Sequence, residues 1–194
     1  MIKNVIFDIG NVLLDFCWKD HIARFGFQGE KADRIAQAMM LGPIWPKLDL
    51  GLESDEDILE QFVAHTPELE QEIRLVFSDL STIVREYEGS VDWIESLKAR
   101  GYHTYYLSNY GERIRREASK ELSFLSHMDG GIMSYTVHLA KPDPAIYQTL
   151  LDRYGLKAEE CVFLDDTVRN VEAAQALGIA GIVVTSQEQA KKEL

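Results

Sequence analysis

Four short polar clusters hold the residues of this sequence best suited to chemistry: Asp8-Ile9-Gly10-Asn11, Ser108-Asn109, Lys141-Pro142-Asp143-Pro144 and Asp165-Asp166-Thr167. In an open parallel sheet, ligands collect beyond the carboxyl ends of the strands, so polar residues that follow apolar runs are the ones to weigh. Taken singly, each cluster has a plain structural role. An aspartate after a strand caps a turn, Ser-Asn starts a helix, and a single lysine is ordinarily a surface charge. The adjacent Asp165 and Asp166 are harder to explain in this way, because like charges packed at a strand end repel unless a cation is present. The conjunction of the four is the informative feature.

The elements that must position these residues are legible in the hydrophobic pattern. Short apolar runs at Val5-Ile6-Phe7, Thr104-Tyr105-Tyr106-Leu107, Cys161-Val162-Phe163-Leu164 and Gly181-Ile182-Val183-Val184 predict buried strands. Helical patterns lie between them at Asp92 to Ala99, Pro144 to Tyr154 with Gly155 as its stop, and Val168 to Leu177 with Gly178 as its stop. This alternation predicts an α/β fold with a mostly parallel sheet covered on both faces. Residues 16–83 break it. Ser54 can cap a helix carrying Ile58, Leu59, Phe62 and Val63, and Pro67 opens a pattern of Leu69, Ile73, Val76, Phe77 and Leu80. The expected organisation is a core built from residues 1–15 and 84–194, with a helical insertion over residues 16–83.

Composition narrows the function. The 194 residues carry 20 Lys and Arg against 32 Asp and Glu, a formal charge of −12. That balance argues against a general binder of nucleic acid or of anionic membranes. No stretch reaches the roughly 18 apolar residues of a membrane span, and no signal-peptide pattern opens the chain. Cys17 and Cys161 fall in no metal-ligand spacing, so reduced thiols and a cytoplasmic location are expected.

The run Phe7-Asp8-Ile9-Gly10-Asn11-Val12, then Leu107-Ser108-Asn109, then Lys141-Pro142-Asp143-Pro144 with Ile146-Tyr147, then Phe163-Leu164-Asp165-Asp166 continuing to Asn170, resembles the four motifs of the haloacid dehalogenase-like hydrolases. The match is to the phosphatase subfamily with a helical cap inserted after the first strand. The resemblance implies a Rossmann-like core and a nucleophilic Asp8 that forms an aspartyl-phosphate. It also implies Mg²⁺ held by Asp8, the Gly10 carbonyl and Asp166, with Asp165 in contact directly or through water. Ser108 and the Asn109 amide would hold a phosphoryl oxygen, and Lys141 would neutralise Asp8 and the transferring group. Asn170 would support the acidic loop. The implied partner is a small phosphorylated metabolite, acted on by a monomer or homodimer.

One position departs from the pattern. Most phosphatases of this superfamily carry a second aspartate two residues after the nucleophile as general acid and base, and here that position is Gly10. A positioned acid or base contributes about 10² to 10⁴ in rate. Three explanations follow: a substrate with a good leaving group, preferably a sugar 1-phosphate; a proton supplied by Asp15; or a catalytically impaired phosphate-binding or regulatory module. A 2-haloacid dehalogenase is the alternative enzyme, against which the Asp165-Asp166 pair discriminates. Trp18, Trp45 and the Lys47-Leu48-Asp49 loop are conceivable substrate contacts within the insertion, and Tyr110 and Arg113 are nearer the expected phosphate. His65, His103, His127 and His138 show no ligand spacing.

Overall fold

The computed structural model describes residues 1–194. The chain runs β1 (Asn4–Phe7), β2 (Leu14–Phe16), α1 (Trp18–Arg24), α2 (Gly29–Ala38), α3 (Pro46–Leu50), α4 (Asp55–His65), α5 (Glu70–Phe77) and β3 (Val84–Glu86). It continues through α6 (Ser90–Ala99), β4 (His103–Ser108), α7 (Glu112–Glu117), β5 (Gly130–Met133), α8 (Pro144–Tyr154), β6 (Cys161–Asp165), α9 (Val168–Ala176), β7 (Ala180–Val183) and α10 (Gln187–Glu193). Five strands form a parallel sheet in the order β5-β4-β1-β6-β7. The predicted strands and helices are all present, with ends displaced by one or two residues. No helix is long and apolar enough to cross a membrane.

Side chains alternate across the sheet, and the two faces build two cores. Val5, Phe7, Val162 and Leu164 lie on the face covered by α6 and α10, within one cluster of 39 buried residues that continues into the helices of residues 18–77. Ile6, Tyr105, Leu107 and Phe163 face α8 and α9 in a second cluster of 12. Phe7 meets Trp93 of α6 edge to face at 4.9 Å. Pro144 at the first turn of α8 and the left-handed Gly155 (φ 63°) beyond its end set that helix as its sequence predicts.

Three short strands escape the apolar pattern. β2 and β3 are three residues each and pair antiparallel into a ribbon, Leu14 opposite Glu86 and Phe16 opposite Val84, where the chain leaves and rejoins the core. In β5, Gly130-Gly131 replaces the usual branched residues because a Cβ at Gly131 would come within 2.4 Å of Tyr106.

The helices between the ribbon strands pack around an aromatic series, with Phe16 to Trp45 at 6.0 Å, Trp45 to Phe62 at 6.1 Å and Phe62 to Phe77 at 5.7 Å. Ser54 caps α4 by accepting from the Asp57 amide. The short α3 is held at its carboxyl end by the core: Ser134 Oγ donates to the Asp49 carbonyl, and His138 Nδ1 lies 2.8 Å from the Leu50 carbonyl. These contacts satisfy carbonyls that a helix end otherwise leaves open. Gly51 follows at φ 60°, where a Cβ would press on Tyr135 at 3.0 Å.

His21 of α1 is fully buried, its Nδ1 3.0 Å from Thr82 Oγ1 and its Nε2 3.2 Å from the Val76 carbonyl. Since a carbonyl only accepts, Nε2 carries the proton of a neutral ring. Burial holds its pKa below the usual histidine value. The unfolded chain therefore binds more protons below its own pKa of about 6.5, and His21 lowers stability as pH falls through that value. Acidification from about pH 7.5 to 5.5 is expected to lower the Tm of the native protein more than that of His21→Gln, read by thermal denaturation of both at each pH.

Candidate active site

Asp8 stands at the carboxyl end of β1, the central strand, where the chain passes from the β4 side of the sheet to the β6 side. Such a switch point opens a crevice between loops that diverge. The Asp8 amide donates to the Leu164 carbonyl at 2.7 Å. Its Oδ1 accepts from the Ile9 amide at 2.7 Å and from Ser108 Oγ at 2.8 Å, and lies 2.8 Å from Lys141 Nζ. Every one of these donors addresses Oδ1, so Oδ2 keeps its lone pairs for other work.

Lys141 is 4% exposed and bridges two carboxylates, Asp8 Oδ1 at 2.8 Å and Asp165 Oδ2 at 2.6 Å. Its ammonium also lies 5.3 Å from the centre of the Phe163 ring. The Asn109 side chain grips the Lys141 backbone from both sides, donating to its carbonyl at 3.0 Å and accepting from its amide at 2.7 Å. The Lys141–Pro142 peptide is cis. Burial alone would lower the lysine pKa, but Asp8 and Asp165 together hold it above the usual value, so the ammonium keeps its charge.

The acidic pair divides into two roles. Asp165 is fully buried, and its oxygens accept from the Thr167 amide at 2.7 Å and the Asn170 amide group at 3.1 Å, in addition to Lys141. Asp166 faces the cavity and accepts from Asn11 Nδ2 at 2.9 Å. The cation expected beside this pair is therefore, for Asp165, the Lys141 ammonium.

One oxygen from each of Asp8, Asp165 and Asp166 can be chosen so that all three lie within 4.8 Å of one another. Three carboxylates face one ammonium, which leaves two negative charges in excess. Burial pushes the Asp8 carboxyl up to about 6, against the pull of Lys141 and with the repulsion of Asp165. Hard oxygen donors with that residual charge fit a divalent cation such as Mg²⁺. The Gly10 and Asn109 amides make no hydrogen bond within the protein and border the same cavity, where they are available to an anion.

The cavity measures about 220 Å³, with Asp8, Gly10, Asn11, Asp166 and Thr167 at its floor. Leu14, Phe16, Trp45, Val84 and Ile114 supply apolar wall, and Asp49 and Tyr110 also border it. Ser108 is buried beneath Asp8 instead of lining the cavity, so its hydroxyl positions the carboxylate.

Three residues weighed as candidates lie elsewhere. Asp15 is turned away, because Leu14 and Phe16 on the same strand face the cavity and alternation directs Asp15 to the opposite side, where it accepts from Cys17 Sγ at 3.2 Å. Trp18 also lies outside. Arg113 stacks its guanidinium over Phe77 at 4.3 Å and donates to Glu117 at 2.7 Å, tying α7 to α5. Both cysteines are free and buried, and burial pushes each thiol up to about 11. His138, given no ligand role, holds the Leu50 carbonyl.

Residues 2–178 match the family model described as haloacid dehalogenase-like hydrolase. The chain is 30% identical over 99% of its length to acyl-CoA dehydrogenase family member 10 of Mus musculus, of which it spans only 19%. It is 26% identical to the sesquiterpene phosphatase astK of Aspergillus oryzae, over 94% of this chain and 90% of that protein. A match at 24% identity covers 91% of the chain and 82% of (S)-2-haloacid dehalogenase 1 of a Pseudomonas strain. In fold it superposes with a TM-score of 0.71 on a HAD family enzyme of Bacteroides thetaiotaomicron in complex with magnesium and inorganic phosphate, at 22% identity over 94% of this chain and 93% of that one.

Proposed function

This chain belongs to the haloacid dehalogenase-like hydrolases, and from that premise we propose that it is a Mg²⁺-dependent phosphatase of a small phosphorylated metabolite, a sugar phosphate by preference. The observation that carries the reading is the trio of carboxylates with one buried ammonium and an unengaged Asp8 Oδ2. A dehalogenase needs the aspartate nucleophile but has no use for a divalent-cation site. The phosphatase among the relatives and the magnesium and phosphate in the structural neighbour support the same choice.

In this reading Asp8, the Gly10 carbonyl and Asp166 would hold the ion, with Asp165 behind them orienting Lys141. Bound there, Mg²⁺ supplies charge neutralisation for the phosphoryl group. Asp8 Oδ2 attacks phosphorus, the bond to the leaving oxygen breaks, and an aspartyl-phosphate forms. Ser108 and Lys141 keep Oδ1 directed and its charge balanced throughout. The amides of Gly10 and Asn109 receive phosphoryl oxygens. Water then attacks phosphorus, releasing inorganic phosphate and restoring the Asp8 carboxylate.

The apolar wall from Phe16, Trp45 and Val84 suits the C–H face of a sugar or a similar small alcohol. Phosphate release from sugar 1-phosphates and 6-phosphates is the direct assay. Activity is expected with Mg²⁺ and is expected to fall to background in excess EDTA, recovering when Mg²⁺ is restored. Halide release from 2-chloropropionate that survives EDTA, with no phosphatase activity, would overturn the proposal.

A further inference from the structure

The reaction just described needs a proton donor for the leaving oxygen and a base for the attacking water, and Gly10 can be neither. A Cβ built on Gly10 meets nothing within 4 Å, and its φ is not in the left-handed region. Neither crowding nor backbone conformation therefore demands glycine there. The space above it belongs to the cavity, and the titratable side chain that enters this cavity from the helical insertion is Asp49.

Asp49 is well placed by its backbone. It lies on α3, which rests on α7 and on the turn Ser134–Thr136. Its own carbonyl is held by Ser134 and the next one by His138, both from the core. Trp45 and Leu48 of the same segment are buried. The Asp49 carboxylate itself makes no hydrogen bond or ion pair, and is part-buried on the cavity wall. An aspartate held by its backbone with its acid group unengaged has a free hand in proton transfer.

We propose that Asp49 is the general acid and base of this enzyme, supplied by the insertion in place of the side chain that Gly10 lacks. The inference rests on the phosphatase reading. As Asp8 Oδ2 bonds to phosphorus and the ester P–O bond breaks, the protonated Asp49 carboxyl gives its proton to the leaving oxygen, which departs as an alcohol. The Asp49 carboxylate next takes a proton from water as the water oxygen bonds to phosphorus. The Asp8–phosphorus bond breaks, its electron pair returns to Asp8, and Asp49 is again protonated when phosphate leaves.

The surroundings suit the task. Burial pushes the Asp49 carboxyl up to about 7, lowered in part by Lys141 and raised further by Asp8. An acid that titrates near the working pH is effective in both directions. The charged and titratable groups that act on it are Lys141 and Asp8 from the core and Tyr110 from the segment after β4, and Asp166 lines the same cavity. With Asp49 in this role, a good leaving group is no longer a requirement, and ordinary alkyl phosphates become substrates.

The test compares p-nitrophenyl phosphate, whose leaving group needs no proton, with an alkyl phosphate such as a sugar 6-phosphate. Asp49→Asn is expected to lower kcat on the alkyl ester about 10² to 10³-fold. With p-nitrophenyl phosphate it is expected to give a rapid burst of one equivalent of nitrophenolate followed by slow turnover, since the first step survives and the second lacks its base. That burst also certifies a folded site. Asp49→Glu is expected to recover part of the alkyl activity, and Asp15→Asn to leave both rates unchanged. Equal, burst-free loss on both esters, or no loss on either, would overturn the role of Asp49 while the phosphatase reading stands. A native protein that hydrolyses neither ester with Mg²⁺ would overturn both.

Discussion

Replacing Asp8 with asparagine is expected to abolish turnover, by roughly 10⁴-fold or more in kcat, a loss of the size that follows removal of a covalent nucleophile. The substitution is a narrow one. Asparagine is nearly isosteric, and its carbonyl oxygen can still accept from the Ile9 amide, Ser108 and Lys141, all of which address Oδ1. What disappears is the second carboxylate oxygen, which has no partner in the protein. The fold should therefore survive while the attack on phosphorus does not. Acid quenching of the native enzyme during turnover should trap one phosphate on the chain at Asp8, and the variant should trap none. A variant retaining more than about one per cent of the native rate would show that water attacks phosphorus directly and that Asp8 serves only as a ligand.

Lys141→Met is expected to remove both activity and a large part of the stability. The ammonium is the buried cation that balances Asp8 and Asp165, at 2.8 and 2.6 Å. Removing one partner of a buried ion pair costs about 3–5 kcal/mol, because the other charge is left uncompensated. For a chain of this size each kcal/mol lowers Tm by roughly 2–4 °C, so a fall of about 10 °C is expected. Methionine fills most of the volume, which makes charge the deciding loss. Magnesium supplies the check. With the ammonium gone, three carboxylates have no cation of their own, so added Mg²⁺ should raise the Tm of the variant by more than it raises that of the native protein. Equal shifts would mean that the ion binds away from this cluster.

The sequence discloses four of the seven strands, the helices α4, α5, α6, α8 and α9, and the four polar clusters because each is a local pattern. Apolar runs mark β1, β4, β6 and β7, and Pro144 and Gly155 mark the two ends of α8. The remainder depends on contacts between distant residues. Gly130-Gly131 carries no apolar signal, yet it pairs with β4, and Tyr106 and Tyr154 leave no room there for a Cβ. Arg113 looks like an anion contact by its place two residues beyond the Asn109-Tyr110-Gly111 turn, yet Phe77 and Glu117 take it for a structural joint. Asp15 sits close to the nucleophile along the chain and points the wrong way, since a strand directs neighbouring residues to opposite faces. Asp49 is 41 positions beyond Asp8, in a loop suspected only of touching substrate. Nothing local distinguishes its carboxylate from the many others of an acidic chain. Its place in the cavity is set by where α3 settles on the core, a tertiary outcome with no signature in spacing.

The placement of β1 has a further consequence. It is hydrogen-bonded along both edges, to β4 and to β6, whereas α3 is joined to the core by side-chain contacts at its last carbonyls and by the burial of Trp45 and Leu48. Opening free energies in one protein range from near zero to that of global unfolding, and the central strand belongs at the upper limit. Asp8 is thus mounted on the last part of the molecule to come apart, and Asp49 on a short helix that Ser134, His138 and the buried Trp45 and Leu48 hold against the core.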